Sequence, residues 1–221
     1  MAGVEEYHLP GAPRPRDETV AAVGQVLTDT RRQPHRRQTP LLKLVEDVGD
    51  KLGNGVACCW CSAPCGIGKS IAALALLALM QPRTAVLFAP LLLLLKQLAE
   101  KFWKMRETYQ HRYRYTYLVI CSKRDLLECD GADSTLPEGC ICITTKPTVA
   151  LAKILERGGV DGNLLIFGTH RSSKAVAELL NLMDRAADLV QVDEAHNLKR
   201  WRGAPASDDD GDECACVAFT W

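Results

Sequence analysis

The sequence has no excess of charge of either sign, since its 221 residues contain 27 Lys plus Arg and 27 Asp plus Glu. A basic field over the whole protein is therefore excluded, and any surface for nucleic acid has to be local. Aromatic residues make up only 6% of the chain, which argues against a platform of stacking rings. The hydrophobic share of 47% and the charged share of 24% exclude extensive disorder and fibrous repeats.

Long apolar runs are also lacking. The two longest, residues 71–80 and 86–95, are about half as long as the roughly 20 residues that a membrane-spanning helix needs. The acidic start of the chain is followed by no apolar segment typical of a secretory signal. We therefore expect the ten cysteines to be reduced thiols in a cytoplasmic or nuclear protein without a membrane partner.

From about residue 40 onward, apolar strand-like segments alternate with helical ones. Strands are predicted at residues 56–63, 83–89, 115–121, 140–145, 164–169 and 189–193. Helices are predicted at residues 41–51, 69–80, 91–107, 148–157 and 172–185. This alternation predicts an α/β fold in three layers, with a parallel sheet covered by helices. Residues 1–35, rich in Pro and Arg, are expected to form a flexible arm, and residues 36–221 the domain itself.

The most specific motif is a glycine-rich loop between a predicted strand and a predicted helix. It reads Ala63-Pro64-Cys65-Gly66-Ile67-Gly68-Lys69-Ser70. Its glycines let backbone N–H groups converge on phosphate oxygens, and the positive end of the helix dipole adds to the attraction. Lys69 would reach the β- and γ-phosphates of ATP, and the Ser70 hydroxyl would bind Mg²⁺. The alternative is a glycine-rich turn followed by a chance Lys-Ser.

An acidic motif, Asp193-Glu194-Ala195-His196, follows the last predicted strand. Asp193 then lies at the carboxyl edge of the sheet, where open α/β sheets bind ligands. We expect Asp193 to hold Mg²⁺ and Glu194 to polarise the attacking water. The alternative is an acidic pair at the start of a solvated loop.

Together the two motifs resemble those of the DEAH-box subgroup of superfamily 2 helicases. The phosphate loops of this superfamily begin with Ala, as at Ala63, where other phosphate loops begin with Gly. More narrowly, the sequence is similar to bacterial-type DEAD/DEAH-box helicases with a restriction-enzyme-type ATPase domain. The likeness covers roughly residues 36–221. It implies a RecA-like phosphate-loop NTPase domain that uses ATP and Mg²⁺. It also implies truncation before motif III, with a C-terminal RecA-like domain as partner in the intact enzyme.

Three further segments carry the resemblance. Residues 88–97 are similar to motif Ia, residues 143–147 to a Thr-Thr-Asp-Pro segment, and residues 165–173 to a Phe-x-Thr-Tyr-x-Ser-Ser segment. In the family these segments touch the nucleic-acid backbone. The implied contacts, to DNA or alternatively to RNA, are Pro90, Gln97, Thr145, Thr169 and Ser172. Ser172 could equally cap a helix.

The resemblance suggests roles for two more residues, and the sequence departs from the family pattern at three positions. It gives Gln38 as a candidate contact to adenine and His196 as a link between the ATP site and motif III. The departures from the family pattern are Leu91 in place of Ser or Thr, Lys146 in place of Asp, and His170 in place of Tyr. The leucine removes one phosphate contact that the family pattern implies.

Residues 96–124 hold eight basic side chains interleaved with aromatic ones. They are either a nucleic-acid surface or a solvated helix face with the aromatic rings packed beneath it, and the neutral net charge favours the second interpretation.

The sequence as a whole predicts the ATP-binding domain of an ATP-dependent DNA helicase or translocase. Lys69, Asp193, Glu194 and His196 are its catalytic candidates. The alternatives are a restriction-system translocase subunit and a fragment that binds ATP and nucleic acid without turnover. Because the second RecA-like domain is missing, we expect the isolated chain to have little or no activity.

Overall fold

The computed structural model describes residues 4–8, 39–54, 56–62, 68–108, 113–122, 139–159, 162–195 and 215–220. Its helices are α1 (Thr39–Gly53), α2 (Lys69–Met80), α3 (Leu92–Thr108), α4 (Pro147–Glu156) and α5 (Ser173–Leu182). Its strands are β1 (Val4–His8), β2 (Val56–Ser62), β3 (Thr84–Ala89), β4 (Tyr115–Ile120), β5 (Cys140–Thr144), β6 (Asn163–Thr169), β7 (Leu189–Val192) and β8 (Ala215–Thr220). A short 3₁₀ turn, His170–Ser172, joins β6 to α5.

By its internal contacts the chain forms two compact units, a first unit of residues 1–81 and 191–221 and a second unit of residues 82–190. In the first unit, α1 packs against α2 and β2. The residues of α2 from Ala72 to Leu79 are all buried. A helix that is apolar all round, as this one is, belongs in a core.

In the first unit, β2 pairs in parallel with β8 and antiparallel with β1. The β1 strand was not predicted, because its sequence Val-Glu-Glu-Tyr-His lacks a continuous apolar run. It adds an antiparallel edge to an otherwise parallel arrangement, a common feature of large sheets. Apart from Val4–His8, the predicted arm of residues 1–35 lies outside the described residues.

The second unit is built on parallel strands. β3 pairs with β6, β6 with β4, and β4 with β5, each in parallel, and β7 starts beside β3. α3 packs against β3 and β6, while α4 packs against β5 and α5. These strands and helices confirm the predicted α/β fold with a parallel sheet.

The core of the second unit contains a cluster of aromatic rings around Phe102 of α3. Its ring lies 5.3 Å from that of Tyr117 and 5.6 Å from that of Phe167, with edge-to-face geometry in both pairs. Tyr113 and Tyr115, which belong to the basic and aromatic segment, are also buried against Phe102. These two rings are therefore part of the hydrophobic core and are not exposed for stacking on bases.

The end of α5 differs from the prediction. The helix was expected to reach residue 185 but ends at Leu182, because Asp184 adopts a left-handed conformation with φ of 47°. Arg185 then turns back, and its guanidinium donates to the carbonyl oxygens of Arg83 and Gly162. The side chain thus joins the starts of β3 and β6.

Candidate functional site

The last three residues of the predicted phosphate loop, Gly68, Lys69 and Ser70, are described, and they lie at the start of α2. Gly68 has φ of 105°, a left-handed conformation that costs glycine little but strains other residues. Its carbonyl oxygen accepts hydrogen bonds from the N–H groups of Ile71 and Ala72, at 2.8 and 3.0 Å. Lys69 and Ser70 thus lie in the first turn of the helix, as predicted for residues that approach phosphate.

Several predicted site residues lie outside the described part of the chain. They are Gln38, Ala63, Pro64, Cys65, Gly66, Ile67 and His196. Their assignments stay predictions that rest on the sequence.

Within the first unit, the lysine of the predicted phosphate loop forms an ion pair with the glutamate of the acidic motif. The Nζ atom of Lys69 lies 3.5 Å from the Oε1 atom of Glu194, and the two side chains are only 9% and 13% exposed. Burying a charged group costs free energy unless an opposite charge lies beside it. Each of these two side chains therefore depends on the close approach of the other. The structure therefore brings the two motifs together.

The backbone at the acidic motif is strained. Glu194 has φ of 55°, and its N–H donates to the Oδ1 atom of Asp193 at 3.1 Å. A residue with a side chain adopts this left-handed conformation at a cost of roughly 1–2 kcal/mol. Strain of this kind concentrates at functional sites, where the surrounding structure holds the residue in place.

Gln191 anchors the end of β7, a role that the sequence analysis missed. Its Nε2 atom donates to the carbonyl oxygen of Ala73 in α2 at 3.0 Å, in a fully buried position. Among the described residues its Oε1 atom has no hydrogen-bond partner. The signal in the sequence is a single amide within the apolar run Leu-Val-Gln-Val. The bond fixes the distance between α2 and the strand that leads to Asp193.

The donor set of the first unit fits a magnesium-bound triphosphate. It offers an ammonium group on Lys69, a hydroxyl on Ser70 and carboxylates on Asp193 and Glu194, next to a helix N-terminus without a side-chain cap. Hydroxyl and carboxylate oxygens are the ligands that Mg²⁺ prefers, and ammonium and backbone N–H groups bind phosphate. Among the described residues, no group of three or more His, Cys, Asp and Glu side chains forms a closed metal site.

The second unit contains a cavity of about 750 Å³ at the carboxyl ends of its strands. It is lined by Pro90, Leu91, Leu92, Leu93, Ile120, Ser122, Thr145, Thr169, Arg171, Ser172 and Ala175. Four of the five predicted nucleic-acid contacts are therefore in one place. Gln97, the fifth, is exposed on α3 and does not line the cavity.

The polar side of this cavity suits an anion. The hydroxyls of Thr169 and Ser172 are hydrogen-bonded to each other at 2.7 Å, and Arg171 between them adds a positive charge. Ser172 directly precedes α5 but makes no capping hydrogen bond, so the capping role considered above is not observed. Arg171 was not among the predicted contacts, although it lies in the segment 165–173 that carried the resemblance.

Among the described residues, none of the helices combines the length and the apolar character needed to cross a membrane.

Comparisons with known proteins agree with this architecture. Residues 38–207 match the family described as the type III restriction enzyme, res subunit. No curated protein matches the chain. Among solved structures, the fold is similar to that of a nuclease-deletion mutant of the Type ISP restriction-modification enzyme LlaGI in complex with a DNA substrate mimic.

The TM-score to that structure is 0.57 at 15% sequence identity, and the match covers 86% of this chain and 17% of the other. At this identity the likeness concerns the fold alone, and this chain spans a small part of the larger enzyme's length. The family match covers well over half of the chain. The chain therefore belongs to the family of the type III restriction enzyme res subunit, and its fold is that of a first RecA-like domain of the superfamily 2 helicase type.

Proposed function

We propose that the chain binds ATP and Mg²⁺ at the start of α2 and that, within a longer protein, ATP hydrolysis at this site drives movement along DNA. The observation that carries the proposal is the 3.5 Å approach of Lys69 Nζ to Glu194 Oε1. Two motifs that lie more than 100 residues apart in the sequence meet there in one buried site. Membership of a helicase-like ATPase family supports the same class of activity.

Each side chain of the site has a separate role in this proposal. Lys69 and the N–H groups of the first turn of α2 bind the phosphates, while Ser70 and Asp193 hold the metal. When bound, Mg²⁺ would neutralise charge on the phosphate oxygens. Phosphate competes with Glu194 for the ammonium of Lys69, so nucleotide binding opens their ion pair. The released carboxylate then orients water and accepts its proton.

The cavity of the second unit is proposed to hold the nucleic-acid backbone. Thr169, Ser172 and Arg171 supply hydroxyl and guanidinium donors, which bind phosphates without reading the base sequence. Thr145 and Pro90 line the same cavity. DNA is the favoured ligand because the similar structure holds a DNA substrate mimic. Gln97, Gln38 and His196 keep the roles that the resemblance gives them.

A restriction-system translocase is the form of activity that the comparisons favour. Both the family and the similar structure are described as restriction enzymes. The chain covers only 17% of the similar structure's chain, so a second RecA-like domain belongs to the proposed intact enzyme. Turnover in such an enzyme would draw on groups from both RecA-like domains, so we expect residues 1–221 assayed alone to hydrolyse ATP slowly and without strand separation.

Steady-state phosphate release, with and without single-stranded DNA, tests the proposed activity in the full chain. We expect a low rate that DNA raises and that Glu194→Gln abolishes. Lys153→Ala is the matched control, because this exposed lysine forms a 2.6 Å ion pair with Glu156 on α4. A rate that survives Glu194→Gln would contradict the proposal. Binding of both ligands without any turnover would identify the chain as a binding fragment.

A further inference from the structure

The mouth of the cavity in the second unit carries two leucines that project into solvent. Leu91 is 62% exposed and Leu93 is 63% exposed. Single exposed leucines are ordinary, but these two lie next to Pro90 and Leu92 on the same cavity wall. Apolar side chains grouped at the rim of a cleft are typical of ligand-binding grooves.

The cavity thus has two chemically different sides. The hydroxyls of Thr169 and Ser172 and the guanidinium of Arg171 form a polar, positively charged side. Leu91 and Leu93 belong to the apolar side, at the start of α3. A ligand that contacts both sides needs an anionic edge and an apolar edge that fit into this one cavity.

A deoxyribose–phosphate backbone has this pair of edges. Its phosphates are anionic, and the C2′ position of its sugar is a methylene group. In RNA the same position carries a hydroxyl, which both donates and accepts hydrogen bonds. A hydroxyl held against leucine side chains loses its bonds to water and gains none in return, which is unfavourable.

We infer that Leu91 and Leu93 contact the sugars of the bound strand and select against 2′-hydroxyl groups. This inference rests on the proposed strand-binding role of the cavity and adds its specificity determinant. The leucines act by packing and desolvation, whereas the polar side supplies affinity for any phosphate backbone. Selection and affinity therefore depend on different residues.

The test measures equilibrium binding of fluorescently labelled oligonucleotides of one sequence to the full chain. Three sugars are compared: deoxyribose, ribose and 2′-fluoro-ribose, whose fluorine is a very weak hydrogen-bond acceptor and no donor. For the wild-type chain we expect DNA to bind about tenfold more tightly than RNA. The 2′-fluoro strand is expected to recover most of that difference, because it removes the hydroxyl that the leucines desolvate.

Two sets of variants separate selection from affinity. The double variant Leu91→Ser with Leu93→Ser is expected to bind DNA and RNA within about twofold of each other. Leu155→Ser is the matched control, since Leu155 is 64% exposed on α4 and does not line the cavity, and its preference should equal that of the wild type. Arg171→Ala should weaken DNA and RNA binding equally. Thermal melting verifies that every variant is folded.

Each outcome decides the inference. Equal binding of DNA and RNA by the wild type, or a preference that survives the double serine variant, overturns it while the strand-binding role stands. Equal weakening of both strands in the serine variant also overturns it, because the leucines would then add affinity without distinguishing the two sugars. Binding that is insensitive to Arg171→Ala removes the strand-binding role itself.

Discussion

Adding one methyl group at Gly168 is expected to destabilise the second unit, because the methyl group would crowd the Phe88 ring of β3 and Val176 of α5. Gly168 pairs with Phe88 in the register of β6 and β3. A Cβ atom there would lie 3.0 and 3.2 Å from two ring atoms of Phe88 and 3.4 Å from Val176. The first two distances are shorter than ordinary van der Waals contact, so the ring or a strand has to move.

The expected size follows from two opposing effects. Overpacking of a core costs about 1–3 kcal/mol. Replacing glycine by alanine also restricts the unfolded chain, which stabilises a protein by about 0.4–1 kcal/mol where the backbone allows it. The net expectation for Gly168→Ala is a loss of about 1 kcal/mol, within a range of roughly 0–2.6 kcal/mol. Gly162→Ala is the control, since a Cβ at Gly162 would meet nothing within 4 Å.

Urea denaturation of the full chain, followed by circular dichroism, measures the free energy of unfolding of the wild type, of Gly168→Ala and of Gly162→Ala. A double-mutant cycle identifies the cause, because Phe88→Val removes the ring atoms that the new methyl group would contact. In that background Gly168→Ala should cost less than about 0.5 kcal/mol. A stabilising effect of Gly168→Ala, or a destabilisation that is just as large in the Phe88→Val background, would contradict the expected contact between the methyl group and the ring.

Three further perturbations test the packing and the ionisation of the second unit. Phe102→Ala should cost about 3–5 kcal/mol in urea denaturation, since the ring is fully buried among aromatic neighbours, and a cost below about 1 kcal/mol would contradict the cluster. Asp188→Ala should cost about 1–3 kcal/mol, because the Asp188 carboxylate accepts a 2.6 Å hydrogen bond from the N–H of Thr84, and Glu178→Ala serves as the control at an exposed carboxylate on α5. Burial, and secondarily the neighbouring Cys142, raises the pKa of the Cys140 thiol from 9.0 to about 12. The unfolded thiol therefore loses its proton first, so the stabilising contribution is complete below pH 9 and is lost as the pH rises towards 12. Cys140→Ala should flatten that pH dependence, and an unchanged profile would rule the thiol out as its source.

The order of helices and strands could be predicted because each has a local signal. Residues 71–80 are apolar on all sides and follow Gly68-Lys69-Ser70, and α2 has the predicted bounds of 69–80. The end of α5 could not be predicted in this way, since the left-handed conformation of Asp184 depends on where Arg185 finds its carbonyl partners. The β1 strand depends on pairing with β2, about 50 residues away in the sequence.

A site residue could be predicted from the sequence where its position at the end of a parallel strand is enough to place it. Residues that follow parallel strands meet at the same sheet edge, which is why Thr145 and Thr169 line one cavity. The exposure of Leu91 depends on the direction of its side chain and could not be read from the sequence. The same holds for the bond of Gln191 to α2, because a buried amide reveals its partner only in three dimensions.

Isothermal titration of ATP into the full chain in the presence of Mg²⁺ tests the central claim most directly, namely that Lys69 and the acidic motif form one triphosphate site. We predict saturable binding by the wild type and by Lys153→Ala, and a loss of affinity of at least about tenfold in Lys69→Ala. Removal of Mg²⁺ should weaken binding to the wild type as well. Undiminished affinity of a folded Lys69→Ala variant for ATP would contradict the account.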